Sequence, residues 1–309
     1  MATFLFEGKQ VYYETHGSGK PLLLLNGIMM STASWTQFVD PLSAENRLIL
    51  VDMMDQGRTD KLPEEYNHDV QVRLVEALLQ ELGILRVSIA GISYGSEIGL
   101  EYTIAHPEQV ERLMLFNATA ATGPWLADIG RAWNKAAHDG ESYYYTAIPV
   151  IYSPRFYRER NDWMEARREK LVPVFENKDF IESMIRLTNS SNDYDVRDRL
   201  DQVQCPTLIV SARQDYLTPV EEQQYLAAHI KNSHYVTFED SGHASMYEQP
   251  MLFASLITGF TNTTKDRYEI YVHTKRIGGV GTCFMKCRPQ PQIRSGLRII
   301  TREKRARRS

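Results

Sequence analysis

A serine between two glycines, directly after a largely apolar run, constrains the fold of this chain more than any other feature. Ser93 lies in the segment 91–95 (Gly-Ile-Ser-Tyr-Gly), which follows the run 87–90 and precedes a helix-like stretch. This order predicts a buried strand, a very sharp turn and a helix. Side chains two positions before and after the serine would collide with the strand and the helix, so the turn requires glycine there. The serine hydroxyl should then stand exposed near a helix N-terminus, where developing negative charge is favoured.

Short apolar runs alternate with helical patterns along most of the chain. The middle runs are continuously apolar, which is typical of strands buried on both faces of a parallel sheet. The first two runs, joined through Glu7, Gly8 and Lys9, predict an N-terminal antiparallel hairpin. We therefore expect an α/β domain with a mostly parallel, doubly wound sheet. The predicted strands lie within residues 4–6, 11–13, 22–25, 48–51, 87–90, 113–116, 207–210 and 235–238.

The alternation stops between residues 121 and 200, where no strong strand pattern is present and aromatic residues are frequent. An aromatic, helical insertion between two strands is most simply a cap over the carboxyl edge of the sheet. We expect Trp125, Trp133 and Tyr144 to form the roof of an apolar binding pocket beneath this cap. More than half of the aromatic side chains in the insertion should instead pack in the core.

The charge is distributed unevenly along the chain. Residues 263–309 carry 13 lysines and arginines against 3 acidic residues, whereas residues 1–262 carry 22 against 36. The first part is expected to form one acidic globular domain that includes the cap. The basic remainder contains several glycines and prolines and few large apolar side chains, so we expect no regular structure there.

The composition also bears on the compartment of the protein. No run of 18 apolar residues is present, and the first ten residues lack the pattern of a secretory signal. Three cysteines do not make a disulfide framework, and Cys283 and Cys287 lack nearby partners for a zinc site. We therefore expect a cytoplasmic protein that does not act at a membrane.

A serine hydroxyl needs a base, usually a histidine that a carboxylate orients, before it becomes a useful nucleophile. His243 is the best candidate, because it follows a predicted strand in a loop that leads into a helix. Asp215 is the preferred acid, since it lies just beyond the carboxyl end of another predicted strand. Glu239 and Asp240 are the alternatives, because they are close to His243 in sequence.

The chain resembles the α/β-hydrolase superfamily over roughly residues 1–262, in particular the small lid-bearing serine hydrolases. These include carboxylesterases, lactonases and type II thioesterases. The resemblance rests on the segment 91–95, on 22–27 and 52–60, and on the order in which Ser93, Asp215 and His243 occur. It implies the fold of that family, with a helical cap inserted at residues 121–200.

The same resemblance implies an oxyanion hole formed by two backbone N–H groups, those of Ile28 and Tyr94. Asn26 stands where many members of the family have histidine before the glycine, which leaves backbone donors intact. Asp55 and Ser96 each occupy a position where many members have glycine. We expect both substitutions to alter the rim of the pocket.

Together these features predict a serine hydrolase that cleaves a small carboxylic ester, thioester or lactone through an acyl-enzyme, with no metal and no organic cofactor. One alternative is a non-hydrolytic or perhydrolase-like enzyme with the same fold. Another is a nucleic-acid or acidic-surface binding role carried by the basic residues 263–309, which contain no recognisable binding motif.

Overall fold

The computed structural model describes residues 2–263, 269–277 and 280–288. The chain divides into two units, residues 1–262 and 263–309. In the part of the chain that the structure describes, no helix is both long enough and apolar enough to cross a bilayer.

An eight-stranded sheet forms the centre of the larger unit. Strands β1 to β8 are Ala2–Phe6, Lys9–His16, Lys20–Leu25, Asn46–Val51, Val87–Ile92, Val110–Phe116, Thr207–Ala212 and Ser233–Phe238. Their order across the sheet is β1-β2-β4-β3-β5-β6-β7-β8. The pairs β1/β2 and β2/β4 are antiparallel and all the others are parallel. The predicted hairpin and mostly parallel sheet are confirmed, and each predicted strand lies within an observed one.

Helices cover the two faces and the carboxyl edge of this sheet. Helices α1 to α11 are Val39–Ser43, His68–Glu81, Tyr94–Ala105, Pro124–Ala136, Gly140–Ile151, Pro154–Glu159, Asn161–Phe175, Lys178–Ser190, Val220–His229, Ser245–Glu248 and Pro250–Asn262. Two 3₁₀ segments span Thr32–Phe38 and Arg197–Gln202. Helices α4 to α8 all lie between β6 and β7 in the chain, so the predicted helical insertion is confirmed.

Strand β3 shows why the parallel strands are continuously apolar in sequence. Leu23 and Leu25 belong to the core cluster that contains residues of α2 and α3. Leu22 and Leu24 belong to the cluster on the opposite face, which includes Phe253 of α11. Successive side chains of a strand point to opposite faces, so a strand covered on both sides needs apolar residues at every position. Each fully buried leucine contributes about 1.5–3 kcal/mol through burial.

The smaller unit contains two strands in its described residues. Strands β9 (Glu269–Ile277) and β10 (Val280–Arg288) pair in antiparallel register, with Val280 opposite Ile277. No regular structure was expected here, because the basic charge, glycines and prolines of this segment argue against it, whereas its isoleucine, valine and tyrosine residues favour strands. The same expectation was made for residues 264–268, 278–279 and 289–309, which lie outside the described part of the chain.

A buried ion pair ties the cap to the main domain. Arg186 of α8 donates two hydrogen bonds to the Asp55 carboxylate, at 2.6 Å from Nη2 and 3.0 Å from Nε. Asp55 is in the left-handed backbone region (φ 66°), which explains why glycine is common at this position in the family. The Asp55 side chain is fully buried and that of Arg186 is 13% exposed. The unusual aspartate therefore anchors the cap.

We expect Arg186→Met to lower the free energy of unfolding by about 3 kcal/mol, because it leaves a buried carboxylate without its counter-ion. The double variant Asp55→Gly/Arg186→Met should recover at least half of that loss, since it removes the unpaired charge and suits the positive φ. Arg131→Met is the matched control, because it breaks an exposed pair with Asp128 and should cost under ~1 kcal/mol. Urea denaturation measures the free energy of unfolding of all three variants. Equal decreases of this free energy in Arg186→Met and Arg131→Met would contradict the anchoring role.

Candidate active site

Ser93 lies on a strained turn between β5 and α3. Its φ of 53° is unusual for a residue other than glycine. A Cβ atom at Gly91 would overlap the carbonyl oxygen of Gly95, and one at Gly95 would overlap that of Leu25. The Ser93 N–H donates to the carbonyl oxygen of Phe116 at 2.9 Å and so ties the turn to β6. The backbone therefore has the geometry that the two glycines predicted.

His243 and Asp215 are hydrogen-bonded to each other next to the serine. The His243 Nδ1 to Asp215 Oδ2 distance is 2.7 Å, and both residues are buried. Asp215 follows β7 and His243 lies between β8 and α10, so both come from the carboxyl edge of the sheet. His243 and Ser93 line the same cavity. With its Nδ1 proton directed to Asp215, the imidazole keeps Nε2 free to accept a proton.

The Asp215 carboxylate is held by donors on every side. Its Oδ2 also accepts hydrogen bonds from Asn117 Nδ2 (2.7 Å) and Thr218 Oγ1 (2.8 Å). Its Oδ1 accepts the backbone N–H groups of Leu217 (2.8 Å) and Thr218 (3.0 Å). Burial by itself raises the pKa of Asp215, but the charge and hydrogen bond of His243 and the bonds from Thr218 outweigh it. The net pKa of Asp215 lies below its ordinary value, and the carboxyl group stays ionised beside the histidine.

The other two candidate carboxylates point elsewhere. Glu239 pairs with Arg213 at 3.0 Å and Asp240 pairs with Arg155 at 3.2 Å. Both acidic side chains are more than half exposed. Neither carboxylate is hydrogen-bonded to His243, so Asp215 remains the candidate for the acid that orients the histidine.

Sequence reasoning missed Asn117 and Thr218, which position the acid. Asn117 directly follows β6, has a φ of 53° and accepts a hydrogen bond from Ser245 on its Oδ1 at 3.0 Å. Its amide is therefore fixed with the nitrogen toward Asp215. A polar residue directly after the buried run 113–116 was the available signal for Asn117, whereas the position of Thr218 depends on a loop turn.

The loop after β3 lies against the serine. A methyl group on the α-carbon of Gly27 would lie 3.8 Å from Ser93 Cβ, and Ile28 lines the cavity beside it. Asn26 braces this loop, since it accepts from Trp35 Nε1 at 2.6 Å and donates to the Val51 carbonyl oxygen at 2.8 Å. The asparagine that replaces the family histidine thus orders the loop that carries the first expected oxyanion donor.

The second expected donor is the N–H of Tyr94. Tyr94 is the first residue of α3, and the first N–H groups of a helix have no partner within it. Ser96, where many relatives have glycine, donates from Oγ to the carbonyl oxygen of Gly91 at 2.5 Å and accepts from the Phe116 N–H at 3.1 Å. It braces the turn from inside and does not line the cavity, contrary to the expected effect on the rim.

The cavity that Ser93 and His243 share has a volume of about 270 Å³. Its walls are mainly apolar and come from both the cap and the main domain, for example Met246, Leu171 and Phe175. A preformed apolar cavity of this size beside a serine suits a small apolar group.

The structure separates the three aromatic residues that were expected to line this cavity. Trp133 lies on its wall. Trp125 is 60% exposed and donates its Nε1 proton to the Tyr216 carbonyl oxygen at 2.7 Å. Tyr144 is buried in the cap and packs against Phe175. Neither Trp125 nor Tyr144 is among the residues that line the cavity.

A smaller chamber of about 50 Å³ also adjoins Ser93, and Trp133 lines both this chamber and the larger cavity. Glu97 forms part of its wall and is fully buried. Burial raises the pKa of Glu97 above its ordinary value, although the nearby charge of His68 and a hydrogen bond from Thr119 act in the opposite direction. This chamber therefore places a buried carboxyl group beside Ser93.

The chain combines an eight-stranded α/β sheet with a serine on a sharp strand-to-helix turn. A histidine that is paired with an aspartate lies beside this serine. This combination defines a hydrolase of the α/β class. The model of the family described as alpha/beta hydrolase fold matches residues 20–250, and the chain belongs to that family. The family resemblance inferred from the sequence is confirmed.

Individual relatives agree with this assignment. A RutD protein of Azorhizobium caulinodans, provisionally named a carbamate hydrolase, is 27% identical over 252 residues, or 81% of this chain and 94% of the relative. YisY of Bacillus subtilis, an AB hydrolase superfamily protein, is 27% identical over 261 residues, or 82% of this chain and 96% of the relative. The crystal structure of MGS-M2, an alpha/beta hydrolase enzyme from a Medee basin deep-sea metagenome library, is 45% identical. It covers 87% of this chain and all of its own, with a TM-score of 0.85.

Proposed function

We propose that this protein is a serine hydrolase that cleaves a small carboxylic ester, thioester or lactone through an acyl-enzyme on Ser93. The observation that carries the proposal is the 2.7 Å hydrogen bond from His243 to Asp215 behind the cavity that Ser93 lines. It supplies the oriented base without which a serine hydroxyl is a poor nucleophile.

In the first half of the proposed reaction, Ser93 Oγ attacks the carbonyl carbon of the substrate while His243 Nε2 takes the hydroxyl proton. The carbonyl oxygen becomes an oxyanion, which the N–H groups of Ile28 and Tyr94 hold. Each such donor is worth about 3 kcal/mol of transition-state stabilisation. His243 then gives the proton to the departing alcohol or thiol, and the acyl group remains on Ser93.

In the second half, water attacks the acyl group and His243 takes one of its protons. The tetrahedral intermediate collapses, the carboxylic acid leaves and the proton returns to Ser93 Oγ. Asp215 keeps the Nδ1 proton on the imidazole and stabilises the imidazolium in both halves. Apart from the substrate and water, the proposed reaction uses only side chains and backbone groups of the chain itself.

The apolar walls of the larger cavity favour an acyl group whose methylene chain packs against them. Each added methylene should raise kcat/KM by about fourfold until the cavity is full, which corresponds to ~0.8 kcal/mol for each buried CH₂. A cytoplasmic location is part of the proposal, since reducing conditions suit the buried free thiol of Cys205.

We expect Trp133→Ala to lower kcat/KM at least tenfold for the preferred ester, because Trp133 lines both the cavity and the smaller chamber. Trp125→Ala should stay within threefold of the wild type, since Trp125 lies on the surface. Steady-state kinetics on one ester compares the two variants. Equal decreases of kcat/KM in both variants would show that the stability of the cap, and not a contact of Trp133 with the substrate, controls the activity.

A panel of p-nitrophenyl esters, acyl-thioesters, lactones and carbamates of graded chain length tests the proposal, with Ser93→Ala as the control. Carbamates belong in the panel because of the name of the Azorhizobium relative. The proposal predicts hydrolysis of at least one ester, thioester or lactone that Ser93→Ala abolishes. Hydrolysis of carbamates alone, or hydrolysis that persists in Ser93→Ala, would contradict it.

A further inference from the structure

Arg167 brings a positive charge to the wall of an otherwise apolar cavity. It lies on α7 and lines the same cavity as Ser93. Its guanidinium carbon lies 5.0 Å from the ring centre of Tyr247, 5.3 Å from that of Trp163 and 6.0 Å from that of Tyr152. These three rings hold the guanidinium by cation–π contacts and fix its position in the wall.

Among the side chains of residues 2–263, no acidic group forms an ion pair with Arg167. Within residues 2–263, no carboxylate oxygen is placed within 4.0 Å of the Arg167 guanidinium, and its buried Nε has no hydrogen-bond partner. Glu248, which follows Tyr247 in the chain, already accepts hydrogen bonds from the N–H and Oγ of Ser153 and from the N–H of Gly242. An unsatisfied buried donor on a charged group is costly, so its retention in the cavity wall needs an explanation.

The next residue in the chain provides a contrast. Arg168 donates to Glu165 through Nη2 and Nε and to Tyr145 through Nη1. The same helix thus carries Arg168, whose donors are used by the protein, and Arg167, whose Nε has no partner and whose side chain lines the cavity. Among the described residues that line the cavity, Arg167 is the one lysine or arginine.

We propose that Arg167 binds a carboxylate on the acyl portion of the substrate, so that the enzyme prefers acyl chains that end in a carboxylate. This inference rests on the proposed function and names its substrate class, the half-esters, half-thioesters or acidic lactones of dicarboxylic acids. The planar guanidinium matches the two oxygens of a carboxylate. A single fixed positive charge in an apolar cavity balances a monoanion and leaves a phosphate dianion undercompensated.

Matched pairs of p-nitrophenyl esters test the inference. Each pair has the same number of chain carbons and ends either in a carboxylate or in a methyl group, such as hydrogen adipate and hexanoate. The readout is the ratio of kcat/KM for the acidic ester to that for the neutral ester. We expect the wild type and Arg168→Met to share a ratio above ten, and Arg167→Met to lower it at least tenfold, mainly through KM. An unchanged ratio in Arg167→Met would overturn the inference.

Arg167→Lys provides a second variant if Arg167→Met does not fold. Lysine keeps the charge but loses the planar fork, so the ratio should fall at least threefold and stay above that of a neutral residue. A ratio that is the same in Arg167→Lys and the wild type would show that the fork geometry plays no part, and would count against the inference.

Calorimetry with hexanoate and hexanamide separates this inference from the proposed function, because binding does not require catalysis. We expect hexanoate to bind the wild type and Arg168→Met at least tenfold more tightly than hexanamide, and Arg167→Met to bind both with similar Kd values. If these binding results hold and no ester is hydrolysed, the proposed function fails and the carboxylate site stands. If Ser93-dependent hydrolysis holds and hexanoate has no advantage, the carboxylate site fails alone.

Discussion

Ser93→Ala is expected to lower kcat on any ester substrate by roughly 10⁴ to 10⁶, as removal of the nucleophile does in other serine triads. The loss should fall on kcat, because the alanine leaves the cavity and its binding walls intact. Ser31 is the matched control, since it is a second serine on the wall of the same cavity. Ser31→Ala should retain more than a tenth of the wild-type kcat.

Steady-state kinetics on purified variants measures both changes, with circular dichroism to verify that each variant is folded. A Ser93→Ala variant that keeps more than a tenth of the wild-type activity would contradict the assignment of the nucleophile. A large loss in Ser31→Ala would mean that the cavity tolerates little change of any kind, and the Ser93 result would then need a chemical test of its own.

Asp215→Asn is expected to lower kcat by about 10³- to 10⁴-fold. An amide nitrogen placed opposite His243 would donate to Nδ1, so the imidazole proton would move to Nε2. The histidine could then no longer take the proton of Ser93. Glu239→Gln and Asp240→Asn are the controls and should cost under tenfold, because both side chains pair with exposed arginines. The opposite ranking in kcat would move the acid to the loop before His243.

The same substitution has an expected pH signature in stability. The pKa of Asp215 is lower in the folded protein than its ordinary value, so the ionised carboxylate contributes stability above the unfolded pKa of about 4. That contribution is lost as the pH falls through the folded pKa. The difference in free energy of unfolding between the wild type and Asp215→Asn should therefore be largest near neutral pH and shrink in acid.

The strands and the serine turn could be predicted because their signals are local. A strand buried on both faces needs an apolar residue at every position, as in residues 22–25, and the sharp turn needs glycine at positions 91 and 95. Both requirements are visible within a few residues of sequence. The helical insertion was visible for a related reason, since the strand pattern stops at one point and resumes at another.

The contacts within the cap and around the acid could not be predicted, because they join residues that are far apart in the chain. Asp55 was recognised as unusual, but its partner Arg186 lies 131 residues away. Trp125 and Trp133 occupy one helix, yet eight residues of helix span about 12 Å, so the two ends have different surroundings. The sequence predicted a helical insertion at residues 121–200, but neither this helix nor its packing over the sheet.

Arg167 illustrates the same limit. Its sequence neighbourhood is rich in charged residues, which is typical of an exposed helix surface. Only the packing of α7 against Tyr152 and Tyr247 places this arginine in the cavity and leaves its Nε without a partner. The substrate preference of a capped hydrolase therefore depends on side-chain placement that the helix pattern does not encode.

Mass spectrometry of the enzyme after reaction with a fluorophosphonate ester tests the central claim most directly. The fluorophosphonate places a tetrahedral phosphorus on an activated serine. The adduct therefore identifies the serine that His243 activates beside the oxyanion site. We predict one adduct for each chain, located on Ser93 by peptide mapping, absent from Ser93→Ala and formed far more slowly in Asp215→Asn. An adduct on another residue, or none on Ser93 in a preparation that hydrolyses esters, would contradict the account.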